Sequence, residues 1–111
     1  MYIQINHELE HMKFLISSNI RLKLAGKSPP VNEEDILQCF SNRVGCFLED
    51  TREDNRTDPP TKWFISETDY GVKLKIVFIY YPEKGIAIRT AYAPNEDELR
   101  IYRKYGLGTE K

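Results

Sequence analysis

Apolar positions recur at helical spacing in the first half of the chain and alternate in the second. Ser17, Ser18 and Asn19 offer capping oxygens ahead of Ile20, Leu22, Leu24 and Ala25, which predicts a short helix with Gly26 as a left-handed stop. After the break Lys27-Ser28-Pro29-Pro30, Asn32 caps a second helix with Asp35 at its third position. Ile36, Leu37 and Phe40 share one face of that helix, and Gly45 is read as its C-terminal signal. Cys46 to Glu49 is a weak strand candidate. Lys62 to Glu67, Val72 to Tyr80 and Ile86 to Tyr92 are rich in β-branched and aromatic residues, and turns at Thr68–Gly71 and Tyr81–Gly85 separate them. They predict an antiparallel meander with Leu74, Ile76 and Phe78 towards the helices. Pro94 blocks further pairing, Asn95 and Glu98 make a second capping pattern, and Leu99, Ile101, Tyr102 and Tyr105 form the stripe of a closing helix that ends at Gly106.

The expected fold class is therefore α+β: two N-terminal helices, an antiparallel sheet of three to four strands, and a C-terminal helix. With 111 residues there is room for one core, so 1–111 is read as a single domain. Residues 1–11 share no periodicity with the rest and are read as an N-terminal extension, with Met12 an alternative to Met1 as the start.

Hydrophobic residues make up 41% of the chain and charged residues 30%, a composition that folds. The longest apolar stretch, Ile76 to Tyr81, falls far short of the roughly 20 residues of a membrane span. His7, Glu8, Glu10 and His11 stand where a secretory leader would be apolar, so the expectation is a cytoplasmic protein without a membrane partner. Cys39 and Cys46 are expected to be reduced structural thiols. A net charge of −1 and a pI near 6.1 remove any global attraction to polyanions, which leaves only a local patch.

That patch has one candidate. Lys73 and Lys75 alternate with Leu74 and Ile76 and so emerge on one face, with Arg89 in the neighbouring strand, Tyr92 at its end, and Glu67 as a carboxylate base at a strand end. Metal-free RNA cleavage needs an activated 2′-hydroxyl, stabilised phosphate charge and a protonated leaving oxygen, chemistry that Lys, Arg, Tyr and a carboxylate supply. The competing reading makes Lys73, Lys75 and Arg89 the solvated side of an amphipathic sheet. Asp50, Glu53, Asp54 and Asp58 cluster in one loop, but Arg52 and Arg56 sit among them and no calcium-loop spacing is present. His7 and His11 lack further ligands. No metal or cofactor is expected.

The order helix, helix, strands, helix from about Asn19 to Gly106 resembles the RelE/BrnT-type toxins of bacterial toxin–antitoxin pairs. Val31-Asn32-Glu33-Glu34-Asp35-Ile36-Leu37-Gln38-Cys39-Phe40 is similar to a BrnT-like helix, and Trp63-Phe64-Ile65, Gly71 to Phe78 and Ile86 to Ala91 follow in the same order. Phe47 to Glu53 (FLEDTRE), Asp58 to Phe64 (DPPTKWF) and Pro94 to Gly106 also look like short proteins often labelled ADP-ribosyl-dinitrogen-reductase hydrolases. The resemblance implies an endoribonuclease acting on messenger RNA and neutralised by an antitoxin protein. Where BrnT-like proteins carry Ser-Ala-Arg-Lys at the last strand, this chain has Thr90-Ala91-Tyr92-Ala93, so Tyr92 replaces a basic group. Two alternatives stand beside it: a catalytically silent protein-binding module of the same fold, and a hydrolase of an ADP-ribosyl-type substrate.

Overall fold

Two reciprocal capping boxes set the later helices. Asn32 Oδ1 accepts from the Asp35 backbone N–H at 2.9 Å while Asp35 Oδ2 accepts from that of Asn32 at 3.1 Å. Asn95 and Glu98 repeat the exchange at 2.8 and 2.9 Å, satisfying N-terminal donors that a helix leaves without partners. The computed structural model describes residues 13–52 and 57–108. The elements are β1 (Phe14–Leu15), α1 (Ser18–Ala25), α2 (Glu33–Ser41), β2 (Leu48–Glu49), β3 (Thr61–Glu67), β4 (Lys73–Tyr81), β5 (Gly85–Tyr92) and α3 (Glu96–Ile101), which runs on through a π-turn at Tyr102–Gly106. The N-terminal extension, with His7 and His11, lies outside the described residues, as do Glu53 and Asp54 of the acidic loop.

The class is α+β as expected, and β2 to β5 form the expected antiparallel meander, but β1 adds a fifth strand in parallel, so the sheet as a whole is mixed. Its order is β1-β5-β4-β3-β2. Phe14 and Leu15 pair parallel to Ile86 and Ala87, and Lys13 O accepts from the Ile86 N–H at 2.8 Å. This close approach requires Gly85, where a Cβ would stand 2.1 Å from Lys13 O and φ is +126°. Two further expectations fail. Gly26 is right-handed, with φ −83°, so α1 ends without a left-handed cap. Gly45 does not end α2, whose C-cap is Asn42; it lies against Tyr102, whose Oη would be 2.6 Å from a Cβ there.

Alternation along β3 and β4 divides the core. Phe64 and Phe78 meet Phe40 of α2 edge-to-face at 4.7 and 5.4 Å, with Phe47 and Phe14 completing the cluster. Each such pair contributes about 0.5–1.5 kcal/mol beyond area burial. Leu74, Ile76 and Phe78 therefore face the first two helices, as the alternation predicts. The opposite face is covered in part: α3 and its π-turn lie across it, with Tyr102 5.7 Å from Trp63. Tyr102 Oη donates to Cys46 O at 2.9 Å, the Cys46 N–H donates to Gly106 O at 3.1 Å, and the Leu107 N–H reaches back five residues to Tyr102 O at 2.9 Å. These contacts bind the π-turn to the segment before β2. Tyr105, expected in the apolar stripe, is 62% exposed.

Candidate functional site

Because β4 alternates, Lys75 points to the face that α3 covers. Register places Tyr92 opposite it on β5 and Ile65 opposite it on β3. The backbone that Asn95 caps carries Glu98 over this spot. Glu98 Oε2 accepts from Lys75 Nζ and from Tyr92 Oη, both at 2.7 Å, while Oε1 accepts from the Asn95 N–H at 2.9 Å. One carboxylate thus caps a helix and fixes two side chains on the sheet beneath. Lys75 is 9% exposed, and its ammonium lies 4.5 Å from the centre of the Trp63 ring and 5.6 Å from that of Tyr92. Lys27, just beyond α1, approaches the same Tyr92 ring at 5.5 Å.

The protonation states follow from these contacts. Burial raises the Glu98 carboxyl, but the hydrogen bonds from Lys75, Asn95 and Tyr92 outweigh it and hold the group below its ordinary value of 4.5. Tyr92 is raised above 10.0, first by burial and then because its proton bonds to Glu98, against the opposing pull of Lys75. The resting site is a neutral phenol donating to a carboxylate.

Beside this network lies an open cleft of about 600 Å³ between the residues after β2 and the C-terminal helix, its lining including Trp63, Lys75, Ile101 and Tyr105. Arg52 stands on the cleft wall and donates to both Asp50 oxygens, at 3.0 and 2.8 Å. Its side chain is 72% exposed. Asp50 lies below its ordinary value of 3.8, chiefly through this pairing with Arg52.

Of the five residues expected from sequence, the structure brings Lys75 and Tyr92 together. Lys73 and Glu67 pair across the strands two positions away and line a separate groove on the other side of the C-terminal helix. Arg89 is exposed at a β-bulge, where Thr90 pairs with Val77 and Ile88 with Phe78, so that Arg89 has no register partner. Lys27, Arg52 and Glu98 carry chemistry that the strand pattern does not reveal. Glu98 is visible in sequence only as a cap, and Arg52 only as one charge in a polar loop. Among the described residues no group of three His, Cys, Asp or Glu side chains is placed to hold a metal. No helix among them is long and apolar enough to cross a membrane. Comparisons with protein-family models, curated proteins and solved structures return no match for this chain.

Proposed function

We propose that this chain is a metal-independent endoribonuclease of the RelE/BrnT toxin type, acting on messenger RNA at the cleft beside Lys75 and held in check by a small antitoxin protein. The observation that carries the reading is the convergence of Lys75, Tyr92 and Glu98 in contacts of 2.7 Å beside a cleft that also presents Arg52. In the proposed reaction the 2′-oxygen attacks the adjacent phosphorus and the bond to the 5′-oxygen breaks, leaving a 2′,3′-cyclic phosphate. The 2′-hydroxyl gives its proton to Tyr92 Oη as that phenol passes its own to Glu98 Oε2. Lys75 protonates the departing 5′-oxygen and then recovers a proton from Glu98 along their existing hydrogen bond, so the network returns to its starting state. Positive charge from Lys75 and Arg52 stabilises the phosphorane, ordinarily the largest contribution of such sites. Lys73, Glu67 and Arg89 lie outside this centre.

One observation favours the silent binding module instead. The Glu98 carboxylate already accepts three hydrogen bonds and Lys75 is almost enclosed, the arrangement of a satisfied structural network. Expression in bacteria separates the two readings. The wild-type chain should arrest growth and fragment messenger RNA, Lys75→Met and Tyr92→Phe should relieve the arrest, and Lys73→Ala should not. Normal growth with intact RNA at high expression of the wild-type chain would leave the binding module.

A further inference from the structure

Tyr105 has no part in the chemistry above and none in the core. Three residues earlier on the same turn, Tyr102 is 2% exposed, whereas Tyr105 is 62% exposed and lines the cleft. The same cleft presents Leu48 and Ile101 as apolar surface, Lys75 and Arg52 as positive charge, and the carboxylates of Glu49 and of Asp50, the latter paired with Arg52. Lys104 adds an ammonium 5.3 Å from the centre of the Tyr105 ring. An aromatic ring and aliphatic wall next to two cations is a pairing suited to a flat heteroaromatic base attached to a phosphate. The volume, about 600 Å³, lies within the range of roughly 300–1,000 Å³ usual for small-ligand sites.

We infer that the cleft is a mononucleotide subsite, in which Tyr105 stacks on the base while Lys75 and Arg52 take the phosphate. The inference rests on the ribonuclease reading only for the source of that nucleotide, a single-stranded RNA whose base is splayed out of its stack. Tyr105 is a specificity residue here, since a duplex would keep the base out of its reach. Asp50 holds the Nε and Nη2 edge of the Arg52 guanidinium and so orients its positive charge at the cleft.

Trp63 is the only tryptophan in the chain and lines the cleft, so its fluorescence reports occupancy directly. The purified full-length protein is titrated with adenosine 5′-monophosphate, with adenosine and with inorganic phosphate. The nucleotide should bind about tenfold or more tighter than either fragment. Tyr105→Ala should remove that advantage, because loss of one base–aromatic stack typically weakens binding by about 5- to 150-fold. Phosphate binding should stay unchanged, and Tyr105→Phe should keep the advantage. Circular dichroism on Tyr105→Ala verifies that the exposed residue leaves the fold intact. A nucleotide that binds no better than phosphate, or one indifferent to Tyr105→Ala, overturns the subsite. Nucleotide binding alongside RNA left intact by the wild-type protein would remove the ribonuclease reading alone. RNA cleavage that ignores Tyr105, without nucleotide binding, would remove the subsite alone.

Discussion

Replacing Glu98 with Gln tests whether the network beneath the C-terminal helix holds that helix to the sheet. Gln can still accept from the Asn95 N–H, since a capping box tolerates either residue. What it loses is the carboxylate that receives Lys75 and Tyr92 at 2.7 Å each. A hydrogen bond to a charged group contributes about 1.5–3 kcal/mol net. The Glu98 side chain is 17% exposed, so water compensates only part of that loss, and Lys75 is left enclosed without its counter-ion. The expected destabilisation at pH 7 is about 2–4 kcal/mol by urea unfolding. Glu96→Gln provides the control: it lies in the first turn of the same helix, exposed, and shares the helix-dipole contribution without the network. It should cost less than about 1 kcal/mol. The pH dependence fixes the origin of the effect. Glu98 is lowered in the folded state, so its stabilisation is complete above the unfolded value near 4.5 and is lost as pH falls through the folded value. The gap between wild type and Glu98→Gln should therefore close at acidic pH. A gap under about 0.5 kcal/mol at pH 7, or one that persists unchanged in acid, would mean that the Glu98 charge does not hold the helix to the sheet.

Ile76→Ala, at a fully buried position of β4, should destabilise by about 2–5 kcal/mol, and a loss below about 1 kcal/mol in urea unfolding would mean the strand face is misread. Gly85→Ala should cost about 2 kcal/mol or more, because the added Cβ meets Lys13 O and the backbone is left-handed; an unchanged thermal midpoint would contradict the parallel pairing of β1. Under native conditions iodoacetamide should label Cys46, which is exposed, and spare Cys39, which is buried and pushed up to about 12; two labels per folded chain by mass spectrometry would contradict this.

The elements that announce themselves locally were legible in the sequence. Asn32 with Asp35 and Asn95 with Glu98 mark helix starts because side chain and backbone exchange hydrogen bonds within one turn, and the hairpin strands show in their alternation. Phe14-Leu15 does not, since two residues paired in parallel with a strand about seventy positions later leave no local trace. The burial of Lys75 is a tertiary matter. Alternation places Lys73 and Lys75 on one face equally, and only the line taken by α3 encloses one and leaves the other in solvent. Arg89 escapes for a related reason: a single extra residue in β5 removes it from register with β4, and a bulge without glycine has no signature in composition. Glu98 is read from sequence as a cap because that role is local, while its hold on Lys75 and Tyr92 spans 23 and six residues.

Metal-free RNA cleavage by Lys75, Tyr92 and Glu98 is the proposed activity. Its most direct measurement is incubation of the purified chain with a labelled single-stranded RNA in excess EDTA, with the product ends identified by mass spectrometry. Cleavage that EDTA does not suppress is expected, with fragments ending in 2′,3′-cyclic phosphate and a loss of about 100-fold or more in rate for Lys75→Met in a protein that remains folded. RNA left whole by the wild-type chain, or cleaved equally well by Lys75→Met, would contradict it.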